Sequence, residues 1–418
     1  MGEVVLCQAA EIRPPSWYES LNEIGSFLGG AEAVADLELE SLIRGAGVTR
    51  EALDMSDEVL ADFEQLIAAL RNEARLSVVG ALLARIELLR ALRARAVLMS
   101  NGMPGGVSRS EDDPLADRTV VFIIGGPRSG TSGLQRWMAN WADVHTPSTV
   151  DVLYPQFIGT AHGPELLASV TIQDRLWDAI DAGFIHQHLN RGDLPAECLP
   201  VLCAGFISHH WTGCYRLPTY EAHLRRRGSA HALQLHRAFA GRIASASEER
   251  VLLFKSPAHA PIMEDLLAAY PDARFVYIDR EPSEVVLSHT RLLSTIRSMR
   301  SDHHDHEADT RAAEQVVTRS YRTIGRLADA GDLNESNFRL ISYRDLLDGL
   351  GRVSKALSSW LSIKLSDLAM ASLRDRQLEA PLSQAPGPMR QGTPIDPELV
   401  VLRTEFMRST KNLKLGLQ

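Results

Sequence analysis

A doubly wound parallel α/β sheet, with a helical region before it and a helical insert within it, is the fold class this 418-residue sequence predicts. Three observations carry that expectation. Four short apolar runs, Val120–Ile124, Val251–Phe254, Arg274–Ile278 and Phe338–Ser342, read as buried parallel strands. Helical patterns separate them, as crossover connections between parallel strands require. The first run also stops at Gly125 and Gly126, turns through Pro127, Arg128 and Ser129, and enters a helical pattern at Gly130-Thr131-Ser132. A chain builds an anion cradle between a strand and a helix N-terminus in this way.

Along the chain, residues 16–100 read as helical. Asp57–Leu70 follows Ser56, an N-cap residue, and repeats apolar residues at three- and four-residue spacing. Ala81–Met99 continues the pattern, with Arg85, Arg90, Arg93 and Arg95 along what reads as a solvated face. The Gly/Pro/Ser/Asp segment 101–117 marks a boundary. It divides a helical N-terminal region, 1–117, expected to pack on the core, from an α/β domain, 118–418. Helices are expected at Leu134–Trp141, Ala230–Ala244, Pro261–Tyr270, Glu284–Ser298 and Ala312–Ala328. An insert of about residues 145–230, helical and irregular, is placed to form a lid; its three arginines 225–227 read as a solvated turn. The Pro/Gly segment 379–397 reads as flexible, before a last helix.

Composition narrows the function. The chain is 45% hydrophobic and 23% charged, ordinary for a soluble globular protein, and its net charge of −9 disfavours a nucleic-acid partner. The four cysteines, at 7, 198, 203 and 214, form no C-x-x-C pair, so they are read as reduced and packing, which suits the cytoplasm. The N-terminus has no signal-peptide pattern, and no apolar run is long enough for a membrane span. Arginine far outnumbers lysine. Up to residue 350 the only lysine is Lys255, which suggests a site that needs a compact ammonium.

Three stretches carry chemistry. Gly125 and Gly130 have the spacing of the G-x-x-x-x-G-K-[ST] loop of nucleotide-binding enzymes, but Thr131 stands in place of the lysine. Gly126, Gly130 and the amides after it can aim N–H groups into one concavity, with Arg128 as a forked cation at the loop apex. In the second stretch Lys255 ends a strand, where active groups of open sheets gather, and Ser256-Pro257 is expected to turn His259 to the same rim as a proton acceptor. The competing reading of His259 is a capping or hydrogen-bonded histidine. In the third, Arg280 at a strand end and Ser288 on the next helix are placed to grip one phosphate, although Arg280 has Glu281 and Glu284 as rival partners. Glu197 in the insert is a second candidate base. Asp302–Glu307, DHHDHE, reads as a solvated loop rather than a metal site, and His209 and His210 read as core or surface histidines, with lining of the acceptor pocket as the alternative.

Taken in order, PRSGTS, a strand ending in KSPAH, and PDARFVYIDREP followed by Ser288 resemble the P-loop sulfotransferases that use 3′-phosphoadenosine-5′-phosphosulfate (PAPS). The likeness is greatest to the actinobacterial branch of single-domain bacterial sulfotransferases, and it covers roughly residues 60–345. It implies that Pro127, Arg128, Ser129, Gly130, Thr131 and Ser132, with Gly126, hold the 5′-phosphosulfate. It likewise implies that Arg280 and Ser288 hold the 3′-phosphate. There are departures. Asp279-Arg280-Glu281-Pro282 stands where the family has His-Arg-Asp-Pro, Gly133-Leu134 replaces a leucine pair, and Val150-Asp151 replaces a Trp-Glu pair near the acceptor.

The missing loop lysine fits that chemistry. A sulfuryl group carries one negative charge where a terminal phosphoryl carries about two, so neither Mg²⁺ nor the loop lysine is obligatory. The expectation is therefore a metal-independent enzyme. It moves a sulfuryl group from PAPS to a hydroxyl, or an amine, of a small molecule such as a secondary metabolite or lipid, and releases 3′,5′-adenosine bisphosphate (PAP). Lys255 and Arg128 would stabilise the leaving oxygen, and His259, in preference to Glu197, would take the proton. A P-loop kinase and a non-catalytic nucleotide-binding protein are the alternatives. Neither the acceptor nor the oligomeric state is legible.

Overall fold

Five parallel strands form one sheet among the described residues: β1 (Thr119–Gly125), β2 (Val144–His145), β3 (Val251–Lys255), β4 (Arg274–Asp279) and β5 (Phe338–Ser342). Their order is β2-β3-β1-β4-β5, so β2 and β3 lie on one side of β1 and β4 and β5 on the other, and the loop after β1 opens at the point where the order reverses. The structure is a computed structural model; it describes residues 16–100, 113–180, 192–303, 305–366, 369 and 396–417. Register aligns the strand ends. Ile123 lies opposite Lys255, Gly125 opposite Ile278 and Asp279 opposite Ser342. The C-termini of β1, β3, β4 and β5 therefore share one rim.

The apolar runs become strands because both faces of the sheet are covered. Phe122, Phe254 and Phe275 point into one cluster and Val121, Ile123, Leu253 and Val276 into the other. Phe122 stacks on Phe275 with ring centroids 5.6 Å apart. Burying each such side chain contributes about 1.5–3 kcal/mol. The first cluster continues into Leu66, Leu88 and Leu98 of the N-terminal helices. The helix Val78–Met99 meets the sheet side through a close backbone approach. Ser77 donates its N–H to the Arg300 carbonyl at 3.0 Å, and a Cβ on Gly80 would fall 1.8 Å from that same oxygen.

Several expectations are corrected. The arginine stripe is not a solvated face. Arg95 is fully buried and donates to the carbonyls of Leu53, Asp54 and Ala204, while Arg93 donates to those of Gly45 and Ala46. Two short helices, Leu39–Ala46 and Arg50–Leu53, end there, and the guanidiniums satisfy their unpaired terminal carbonyls. Nor is 225–227 a free turn: Arg227 ties its helix to Asp62 and Glu58. The helix expected from Leu134 starts at Thr131, directly from the loop. The one expected over Pro261–Tyr270 divides into a 3₁₀ segment, Pro257–Ile262, and a helix, Met263–Ala269. Proline at 257 and 261 removes two backbone donors, which favours the tighter turn. The helix expected from Ala312 begins at His306, because Asp305 caps it by accepting the Ala308 N–H. The edge strand β2 was not anticipated, being only two residues long. Cys7, residues 101–112, His304 and most of the Pro/Gly segment 379–397 lie outside the described residues. No helix among the described residues is long and apolar enough to cross a membrane.

Candidate active site

The strand β1 delivers the chain into a tight loop whose conformation needs its glycines. Gly125 has φ +153°, and a Cβ there would lie 2.7 Å from Ser129 Oγ and 2.8 Å from the Ile278 carbonyl. Gly130 has φ +94°, and its Cβ would meet the Tyr343 ring at 2.8 Å. Between them Arg128 sits at φ +66°, a left-handed conformation unusual for arginine. The Ser129 amide closes the turn onto the Gly126 carbonyl at 3.1 Å. Gly130 caps the helix Thr131–Met138 without any side-chain hydrogen bond. The first intrahelical bond runs from Leu134 N–H to the Gly130 carbonyl, so the amides of Thr131, Ser132 and Gly133 precede it. An uncapped helix N-terminus facing a cavity suits an anion. Ser129 is fully buried, and its hydroxyl has no hydrogen-bond partner among the described residues.

A cavity of about 560 Å³ opens at this rim. Pro127, Arg128, Gly130, Thr131, Ser132 and Ser288 line one part of it, together with Arg280 and Tyr343. Here the structure brings together residues far apart in sequence. Arg128 Nε donates to Ser288 Oγ at 3.3 Å, and Arg280 donates to the Arg128 carbonyl at 2.7 Å and to Glu284 at 2.7 Å. The Arg280 guanidinium stacks 4.4 Å from the Tyr343 ring centroid. Burial, and then the neighbouring Arg280, lower the Arg128 guanidinium from its ordinary range. Two cations held this close favour an anion between them. The uncapped helix and the paired arginines fit a nucleotide with anionic groups at both ends. Arg128 thereby touches Ser288, which the sequence reading had assigned to the other phosphate site.

The chemistry-bearing pair lies beside the loop. Lys255, 2% exposed, ends β3 and donates from Nζ to Glu197 at 2.5 Å and to Ser132 Oγ at 2.8 Å. The insert supplies Glu197, pinned where the Cys198 N–H donates to the Lys255 carbonyl at 3.0 Å. Ser132 and Glu197 line the cavity, and Lys255 lies directly behind them. His259 is not brought there. The 3₁₀ turn sends Pro257, Ala258 and Pro261 toward the cavity and the His259 ring inward, fully buried, at 5.2 Å from Phe122 and 5.7 Å from His236. Burial, the nearby His236 and Lys255 push it well below the ordinary histidine range. Gly126 and Ser129 likewise shape the loop from below rather than line the cavity, Gly126 packing against Val285.

The sequence reading missed residues on the far side. His209 and His210 line the cavity, the less favoured of the two readings their sequence context allowed. Glu87, from the long N-terminal helix, accepts from Arg300 and from the Tyr215 hydroxyl, each at 2.7 Å, and Arg300 lies 4.1 Å from the centre of the Trp177 ring. Leu83, Val170 and Leu292 supply apolar wall. Two signals were available: an acid within an apolar helix, and Tyr343 directly after a strand end. Asp151, which replaces the family's expected acid, forms a capping box with Ser148.

A family model described as "Sulfotransferase family" matches residues 120–367. No curated protein matches. Among solved structures, the chain is similar to the sulfotransferase STF1 of Mycobacterium tuberculosis H37Rv. The two are 21% identical with a TM-score of 0.65, over 88% of this chain and 98% of that one. It is also similar to the sulfotransferase STF9 of Mycobacterium avium, 16% identical with a TM-score of 0.70, over 90% and 96%.

Proposed function

The chain belongs to the sulfotransferase family, and from that premise we propose that it transfers a sulfuryl group from PAPS to a hydroxyl of a small molecule, with Glu197 as general base. The observation that carries this reading is the Lys255 ammonium held between Glu197 and Ser132, at the junction of loop and cavity. PAPS, when bound, supplies the sulfuryl group and leaves as PAP. Amides of residues 131–133 and Arg128 would bind its 5′ end, and Arg280 with Ser288 its 3′-phosphate. Glu197 would take the acceptor's hydroxyl proton onto a carboxylate oxygen, which leaves the acceptor's own oxygen as the nucleophile. Lys255 serves both ends, holding the base in position and presenting positive charge to the loop where negative charge develops. Backbone amides and a forked guanidinium suit a group of single charge, and this chemistry calls on no metal. His259, behind the sheet, has no part in it. The test is transfer of radiolabelled sulfur from PAPS to a panel of hydroxylated and amino acceptors. Wild type is expected to label at least one acceptor, and Glu197→Gln to lower kcat by about 10²–10⁴-fold. Equal turnover by Glu197→Gln, with loss in His259→Gln, would return the base role to His259.

A further inference from the structure

Cys198, His236 and His259 come from three separate elements and meet outside the cavity, where the transfer chemistry makes no use of them. Cys198 precedes the helix Leu199–Leu202, His236 lies mid-way along Ala230–Ala246, and His259 is in the 3₁₀ turn after β3. One ligand-capable atom of each, a sulfur and two ring nitrogens, lies within 4.8 Å of the others, and all three residues are fully buried. Both ring nitrogens of His259 and Nε2 of His236 have no hydrogen-bond partner among the described residues. Buried imidazoles normally find partners, so three unpartnered nitrogens beside one thiol call for an explanation. The other His236 nitrogen, Nδ1, lies 2.7 Å from the Tyr270 hydroxyl. A partner on one ring nitrogen is how metal-bound histidines are oriented, and Nε2 is the His236 nitrogen left without a partner.

We propose that Cys198, His236 and His259 supply three of the four ligands of a buried site for a divalent cation of the zinc class, with a water molecule in the fourth position. One thiolate and two neutral imidazoles are the mixed sulfur and nitrogen donors that zinc takes. Bonds of about 2.0–2.3 Å in a tetrahedral site hold ligand atoms about 3.3–3.6 Å apart, so the three side chains need close by only about 1 Å. As the ion binds, the Cys198 thiol releases its proton to solvent and the sulfur donates its electron pair to the metal; the imidazoles enter already neutral.

The location gives the ion its role. Glu197 directly precedes Cys198, and Lys255 stands one short turn before His259. An ion here would cross-link the two segments that carry the Lys255–Glu197 pair. Its part is structural, so the inference does not depend on the proposed reaction. No sequence motif announces the site, because its ligands are widely spaced and only the fold collects them.

The full-length chain, produced in zinc-supplemented medium, is analysed for metal by mass spectrometry, then stripped with chelator and titrated with Co²⁺. Stoichiometric zinc is expected, with the thiolate charge-transfer and visible bands of tetrahedral Co²⁺. Cys198→Ser should abolish the charge-transfer band. Tyr270→Phe, which keeps all three ligands, should weaken Co²⁺ binding about 10–100-fold. Cooperative thermal unfolding serves as the folding control, so a misfolded Cys198→Ser leaves the wild-type and Tyr270→Phe results to decide. Substoichiometric zinc with a featureless Co²⁺ titration in folded wild type overturns the proposal. So does Co²⁺ affinity unchanged in folded Cys198→Ser or Tyr270→Phe.

Discussion

At the scale of single residues, Lys255 has two partners that differ in role, a carboxylate from the insert and a hydroxyl from the first turn of the loop helix. A compact ammonium fits this 2%-exposed position, whereas a guanidinium would need room for a planar fork. Lys255→Ala is therefore expected to lower kcat by about 10²–10³-fold, and Lys255→Arg to recover little of it, in steady-state transfer assays. Recovery by arginine to near wild type would mean that charge alone matters there. This lysine was legible because, up to residue 350, the chain otherwise spells its cations as arginine. The base was less so: Glu197 and His259 both lie near strand or loop ends in sequence, and only the phase of a 3₁₀ turn sends His259 inward. A turn of three residues per repeat, set by two prolines, leaves no periodic trace in a six-residue segment.

At the scale of elements, β1, β3, β4 and β5 were legible to within a residue or two because each is buried on both faces and therefore reads as a continuous apolar run. The helix Val78–Met99 was legible too, but not what its arginines do, since clamping the carbonyls of neighbouring helices depends on where those helices end. Its first turn makes a sharper test. With Gly80 pressed on the Arg300 carbonyl, Gly80→Ala is expected to destabilise the protein by roughly 2–3 kcal/mol despite alanine's better helix propensity. Urea unfolding should show a lower midpoint at unchanged m-value. A stabilised variant would mean that the two backbones are not in contact.

At the scale of the whole molecule, the cavity has two walls of different origin. The sheet rim contributes the loop and the arginines, and the N-terminal helices and insert contribute Leu83, Glu87, His209 and Trp177. The first wall was legible from strand-end motifs. The second was not, because its residues converge only when the helices pack. That packing also partly encloses His209 and buries His289, each depressed to about 3 by loss of solvent and then by nearby arginines. The unfolded chain binds protons at these sites below about 6.5, and the folded chain does not. Their contribution is thus full above pH 6.5 and is lost as pH falls toward 3, by about 1.4 kcal/mol per pH unit for each histidine. His289→Gln should reduce the slope of stability against pH in that window by about one proton, read from denaturant unfolding at a series of pH values. An unchanged slope would mean that His289 titrates normally in the fold.

The most direct measurement is calorimetric titration of the full chain with 3′,5′-adenosine bisphosphate, and separately with ATP, both in EDTA. Tight bisphosphate binding without divalent metal, weakened at least tenfold (about 1.4 kcal/mol) by Arg280→Ala, is the predicted result. No bisphosphate binding, together with ATP binding that appears when Mg²⁺ is restored, would contradict the sulfuryl-transfer account.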